Sequence, residues 1–250
     1  MRAPRLAGCA ALALAVTLAA GLAACQPSSG GSFDQKVKAY LMAHPEELRA
    51  ALENMQSSEE QTAEKKETDA LAKARLALPK LRAALERDPR DFVANPMGKV
   101  TVTEFYDFQC VHCINIAPKL IGLIRTRPDV RFVFKDLVIF GPTSEHAALA
   151  AMAAKAQGKD VLGLYQDFMS THPLTDADID RLAAARGVDV AALGAPAVRA
   201  KAEARLADVA DLANKLAIDG TPGFVVGDQI IEGEDYPAIL AAIAKAEKRA

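Results

Sequence analysis

The chain has 250 residues, no tryptophan and only four cysteines. The missing tryptophan removes a common anchor for sugars and for cationic ligands held in aromatic cages. An excess of one charge is also missing. Thirty Lys and Arg face 32 Asp and Glu, the net charge is −2, and the basic residues are dispersed, so no nucleic-acid surface and no nucleic-acid partner are expected. The apolar run Ala10 to Leu22 is too short, and too soon followed by polar residues, to form a transmembrane span. Structural zinc wants four ligands, usually from two Cys/His pairs. There is no second CxxC and no H-x₃₋₅-H here, and His44, His146 and His172 are scattered.

The start of the chain reads as an export signal. Arg2 and Arg5 precede the apolar run, which ends in Leu22-Ala-Ala-Cys25. That tetrapeptide resembles a bacterial lipobox, whose Cys receives a lipid. Leu22 fits the small-residue preference of ordinary signal peptidase poorly, although plain periplasmic release is the alternative. Residues 1–25 are therefore expected to be an export signal with lipobox. Residues 26–32 are expected to be a flexible Ser/Gly tether, and the location is expected to be the periplasm, with anchoring through a lipidated Cys25. Cys9 leaves with the signal and Cys25 stays outside the fold, so Cys110 and Cys113 are the cysteines left for the folded part. A bridge between them would close so short a loop that it would constrain the unfolded chain little, which points to chemistry rather than stapling.

Along the mature chain, Phe33, Val37, Tyr40 and Leu41 recur at helical spacing behind Ser32 as N-cap. Pro45, Glu46 and Glu47 open a second helix carrying Leu48, Leu52 and Met55. These stripes bury too little alone. Residues 33–60 are expected to be a helical oligomerisation segment, the alternative being a hairpin packed on the main domain. Residues 61–87 are expected to be a helical linker. Ser57 to Asp69 is polar, with pairs such as Lys65–Asp69, and Leu71 to Leu85 is apolar but interrupted by Pro79.

The main domain is expected over residues 88–250. It opens with strands near Asp91 to Ala94 and at Val100 to Tyr106. A helix follows from Val111 to Thr126 that contains Pro118, then a strand at Val130 to Phe134 with Leu137 to Phe140 nearby. A helical block fills about 144–217. Phe224–Gly227 and Gln229–Ile231 form a hairpin, and Tyr236 to Lys248 closes the chain. This order, a parallel βαβ unit, a helical insertion and an antiparallel hairpin with a last helix, is an α/β plan of thioredoxin-like type.

Phe108-Gln-Cys110-Val-His-Cys113 lies where a strand gives way to a helix. Free backbone N–H groups and the helix dipole favour negative charge there, and a thiolate is the nucleophilic form of Cys. Cys110, first and expected to be the more exposed, should attack; Cys113, one turn inside, should resolve. His112, as a cation, would stabilise the Cys110 thiolate, the alternative being a solvated loop residue. Gly220-Thr221-Pro222-Gly223 stands directly before the Phe224 strand, as expected of a cis-proline loop that faces the Cys pair and offers the Thr221 backbone to an extended peptide. Glu104, six residues before Cys110, is expected beneath the pair as a buried acid that exchanges protons with Cys113, with Lys135 as its partner. Two ordinary surface charges are the alternative.

Thr103-Glu-Phe-Tyr-Asp-Phe-Gln-Cys-Val-His-Cys113, the helical insertion and Gly220-Thr-Pro-Gly223 resemble the DsbA-like thioredoxin-fold family, over about residues 88–250. The resemblance implies Cys110 as nucleophile, Cys113 as resolving thiol, His112 as thiolate stabiliser, Thr221 and Pro222 as cis-proline loop, and Glu104 as buried acid. The archetypal oxidase has Pro-His between its cysteines where Val111-His112 stands here, and Val before its cis-proline; Thr221 resembles the disulfide isomerases instead. Phe33 to Leu48 resembles the N-terminal oligomerisation region of the suppressor-of-copper-sensitivity C (ScsC) group. That resemblance implies an oligomeric disulfide isomerase or reductase, with a trimer favoured. It also implies exported proteins carrying disulfides or thiols as substrates, a membrane redox partner, and no required cofactor. The alternatives are a monomeric dithiol oxidase and a protein that binds copper(I) through Cys110 and Cys113.

Overall fold

The computed structural model describes residues 31–249. The expected export signal, Cys9, the lipobox Cys25 and tether residues 26–30 lie outside the described residues. The chain divides into two compact units, one reaching Thr62 and the other beginning at Ala63.

In the first unit, α1 spans Gly31–Ala43 and is followed after His44 by the start of α2 (Pro45–Glu86). Helix α1 begins one residue before Ser32, so Ser32 is not its N-cap. Pro45 and the acidic first turn, Glu46 and Glu47, open α2, where a proline loses no hydrogen bond and acids meet the positive end of the dipole. Tyr40 donates to both carboxylate oxygens of Glu47 at 2.9 and 3.0 Å, which ties the two helices at their junction. Phe33, Val37, Tyr40, Leu41, Met42, Leu48, Leu52 and Met55 are exposed.

The second unit begins within α2, earlier than the expected start at 88. Helix α2 runs without a break through Pro79, and its Ala74, Leu78 and Leu85 are buried in a core with Phe105, Leu212 and Leu216. Burying a leucine contributes about 2 kcal/mol, and two such residues offset the ~3 kcal/mol that an interior proline costs. The expected linker is thus helical, but residues 71–85 are part of the folded domain.

The sheet has five strands: β1 (Phe92–Ala94), β2 (Val100–Tyr106), β3 (Val130–Asp136), β4 (Gly223–Val226) and β5 (Gln229–Glu232), in the order β1-β3-β2-β4-β5. Strands β2 and β3 are parallel, joined by α3 (Val111–Thr126); the other pairings are antiparallel. The segment Leu137–Phe140 forms no strand. Helices α4 (Pro142–Ala156), α5 (Val161–Met169), α6 (Asp176–Ala185) and α7 (Pro196–Lys215), with a 3₁₀ turn at Ala191–Gly194, form the inserted block, and α8 (Tyr236–Glu247) closes the chain. Thr175 caps α6 in a reciprocal capping box with Asp178.

Successive strand residues face opposite sides of a sheet, and each side here has its own core. Val102, Tyr106, Phe132, Phe134 and Phe224 pack with α3, α5 and α8. Phe105, Val225 and Ile230 pack with α2 and α7. Both faces of β2 are therefore covered, which is why its sequence is apolar on both sides and why any charge on it is buried.

Candidate active site

Cys110 ends the turn that follows β2 and is the N-cap of α3. Its carbonyl accepts the Ile114 N–H at 3.0 Å and its own N–H donates to Asp107 O at 3.1 Å. A cysteine in that position has the free N–H groups of the first helical turn beside its sulfur. Cys110 and Cys113 are both free thiols and both buried, at 2% and 0% exposure. Cys110 is the more exposed of the two, as expected, but only slightly, because the Thr221 loop covers it. The Thr221–Pro222 peptide is cis, and the Cys110 thiol donates to Thr221 O at 3.0 Å. Directly after it, a side chain on Gly223 would meet Ile218 Cγ2 at 2.5 Å, so the close approach of this loop to Ile218 requires glycine.

The two sulfurs titrate in opposite directions. Cys110 is drawn down to about 5, first by the Cys113 thiol donating to it; burial opposes this, and the Thr221 side chain and the backbone N–H groups of Cys113 and His112 add to the lowering. The Thr221 hydroxyl is buried beside the sulfur and has no hydrogen-bond partner among the described residues. Cys113 is pushed far up, first by burial, then by its bond to Cys110 and by the Glu104 charge. One sulfur is thus a ready thiolate at neutral pH and the other a protonated reserve.

Glu104 lies on the face of β2 that looks toward the cysteines and is 2% exposed. Burial raises its carboxyl to about 8; the Tyr165 hydroxyl, 3.3 Å from each carboxylate oxygen, lowers it, while the charges of Asp136 and Cys110 raise it. Lys135 is not its partner. In the parallel register Lys135 stands opposite Phe105 and Phe134 stands opposite Glu104, so Lys135 faces the other side of the sheet. There its Nζ is 2.5 Å from Asp91 Oδ2 and donates to Ala84 O at 2.6 Å.

His112 lies at the surface beside the site. Its ring is exposed, with Nδ1 3.4 Å from Glu234 Oε1; what it brings to Cys110 is its backbone N–H. Two residues emerge that the sequence did not mark. Glu234 faces the His112 ring. Asp107 is buried and accepts from Gln109 N (2.8 Å), Ile139 N (2.8 Å), Phe140 N (3.1 Å) and Ser144 Oγ (2.6 Å), tying the residues before Cys110 to the segment that leads into α4. An Asp three residues before a helix cap is a common turn former, and that is its only signal. Among the described residues no group of three or more His, Cys, Asp or Glu side chains is gathered, so a metal here would have only the two sulfurs.

Residues 101–244, more than half of the chain, match the DSBA-like thioredoxin domain. The chain belongs to that family. The structure is similar to that of a thioredoxin-like oxidoreductase from Silicibacter pomeroyi, 33% identical, covering 68% of this chain and 99% of that one with a TM-score of 0.62. ScsC of Proteus mirabilis in a transitional conformation is 25% identical and covers 88% of this chain and 100% of its own, with a TM-score of 0.64. The Na(+)/H(+) antiporter NhaA 3 of Salinispora tropica is 31% identical over 169 residues, which are 64% of this chain and 25% of the antiporter. The chain thus spans about a quarter of the length of the curated relatives it matches, and among the described residues no helix is long and apolar enough to cross a membrane. A DSBA-like domain with a depressed cap thiol and a buried second thiol is a thiol–disulfide oxidoreductase.

Proposed function

We propose that this DSBA-like protein exchanges disulfides on exported proteins in the periplasm, acting as an oligomeric disulfide isomerase or reductase. The chemistry is carried by one observation, the opposite titration of Cys110 and Cys113 at the start of α3. The Cys110 thiolate attacks a substrate disulfide, whose S–S bond breaks as the mixed disulfide forms and one substrate sulfur leaves as thiolate. Cys113 then attacks Cys110 while Glu104, its buried neighbour, takes the thiol proton. The Cys110–Cys113 bond forms and the second substrate sulfur leaves reduced. In isomerisation the substrate's own thiol displaces Cys110 first. The cis Thr221–Pro222 loop, whose carbonyl already meets the Cys110 sulfur, lays the substrate backbone across the site in strand fashion.

Assembly is supported by the first unit, where eight large apolar side chains on α1 and the start of α2 are exposed, more than a solvated helix pair normally shows. Trimers formed through these residues would place several sites around one substrate. The resemblance to ScsC proteins and the lipobox-like Leu22 to Cys25 support export, with anchoring through Cys25. Light scattering of the mature chain tests the assembly. A trimer that falls to monomer in Val37→Glu with Leu48→Glu, with loss of scrambled-substrate refolding but not of thiol reactivity, is expected. A monomer in the unaltered chain would overturn it.

A second reading, a monomeric dithiol oxidase, is favoured by the Cys110 thiol at about 5, since a stabilised reduced form makes the oxidised pair a stronger oxidant. Copper(I) is a third use of the same adjoining sulfurs, which are soft donors. Binding that survives Cys110→Ser with Cys113→Ser would place copper elsewhere.

A further inference from the structure

Glu104 is not the only carboxyl on its face of the sheet. Tyr106 follows it by two residues on β2, and the parallel register sets Asp136 of β3 opposite Tyr106. Asp136 is therefore one strand across and two residues along from Glu104, a separation of about 8 Å from a strand spacing of ~4.8 Å and a rise of ~3.3 Å. Each carboxyl has a tyrosine. Tyr165 lies 3.3 Å from Glu104, and Tyr106 donates to Asp136 Oδ1 at 2.6 Å. The two rings meet edge to face with centroids 5.3 Å apart, and Phe134 packs on both. The space between the acids is an aromatic wall with low local dielectric, where charge acts strongly.

The two ends of this wall differ. Glu104 is sealed. Asp136 is partly accessible as a residue, but its carboxyl is enclosed; it lines a cavity of about 20 Å³ with Asp91, Tyr106, Phe134, Met152 and Arg205, large enough for one water. The charged and titratable groups around Asp136 are Tyr106 of β2, Tyr165 of α5, Arg205 of α7, Asp91 before β1, and Arg90 and Lys155 at the cavity. Arg205 favours its charge and Asp91 opposes it.

We infer that Asp136 is a positioning residue for the resolving step: its carboxylate, held by Tyr106, acts across the aromatic wall on Glu104 and sets the pH range in which Glu104 takes the Cys113 proton. The inference rests on the role proposed above for Glu104. In the step itself, the Cys113 sulfur bonds to Cys110 as its proton passes to the Glu104 carboxylate. The Cys110–substrate bond breaks, and the departing substrate sulfur leaves as a thiolate that takes a proton from solvent. The cysteine pair is oxidised and the substrate sulfur reduced. Burial lifts Asp136 to about 6, with Tyr106 opposing, so Asp136 carries charge at neutral pH. That charge holds the Glu104 proton on and keeps part of the Glu104 population in the acid form.

The test is the pH profile for release of glutathione from a Cys110–glutathione mixed disulfide, measured on the full chain. Asp136→Asn should move the midpoint down by about half a pH unit or more, leaving the Cys110 thiolate titration in place. Tyr106→Phe, which weakens the hold on the Asp136 charge, should move it the same way by less, and it serves if Asp136→Asn does not fold. Adding Asp136→Asn to Glu104→Gln should change nothing further. An unmoved or rising midpoint in Asp136→Asn, or an equal shift in the Glu104→Gln background, overturns the inference. A Glu104→Gln profile identical to the unaltered protein overturns the role of Glu104 itself, and the inference with it.

Discussion

The two faces of the sheet treat buried charge in opposite ways. On the face toward α2 and α7, Lys135, Asp91, Arg205 and Asp88 form a network in which each acid has a base, Lys135 meeting Asp91 at 2.5 Å and Arg205 bonding both Asp91 and Asp88. Burial pushes Asp91 up and Lys135 down, and each partner's charge resists. On the face toward the cysteines, Glu104 has a tyrosine hydroxyl and, among the described residues, no base at hydrogen-bond distance. A balanced buried network can be left ionised at all working pH values and does structural work, whereas an acid without a base exchanges its proton near neutrality. The chain places its chemistry on the unbalanced face.

Substitutions separate the two. Asp91→Ala leaves Lys135 buried without its acid and Arg205 with Asp88 alone, and about 3–5 kcal/mol of stability should be lost in urea unfolding, with the Cys110 thiolate titration unmoved. Glu104→Gln should do the reverse. It should leave urea stability within about 1 kcal/mol, since an uncompensated buried acid is replaced by a neutral amide, and slow resolution about 10²-fold in single-turnover kinetics. Tyr165→Phe removes the hydroxyl that lowers Glu104. The Glu104 carboxyl should then rise further, and the midpoint of the resolving step should move up in pH. His112→Ala should have the smallest effect, about threefold or less on the rate of alkylation of Cys110, because the ring is exposed and turned to Glu234. A large loss there would restore the imidazole to the thiolate.

Much of this contrast is legible in the sequence, because it depends on local spacing. A CxxC at a strand-to-helix junction, a Thr-Pro before a strand, and Glu104 six residues ahead of Cys110 are local patterns, and each marks a residue that the structure brings to one place: Cys110, Cys113, Thr221 and Glu104. The side that Lys135 faces depends on the register of β3 against β2, which no single strand records. One residue of offset moves a side chain to the other face. Residues 61–87 read as a linker because Pro79 interrupts their apolar run locally, while the packing that draws residues 71–85 into the domain comes from Phe105, Leu212 and Leu216, far along the chain. Asp107, Asp136 and Glu234 are single acids among 32 Asp and Glu; their partners lie at distant positions, and no pattern sets them apart.

The pH dependence of Cys110 follows the same logic. Its folded-state thiol sits at about 5 against an ordinary value of about 8.5. A depressed group stabilises the fold above its unfolded value and loses that contribution as pH falls through its folded value. The reduced protein should therefore lose stability relative to the Cys110→Ala variant as pH is lowered from about 8.5 to about 5. The most direct measurement is the thiolate ultraviolet absorbance of the reduced protein titrated with pH, paired with alkylation that identifies which cysteine reacts. A single midpoint near 5 with Cys110 alone modified is expected. A midpoint near the ordinary ~8.5, or modification of Cys113 first, would contradict the division of labour between the two sulfurs.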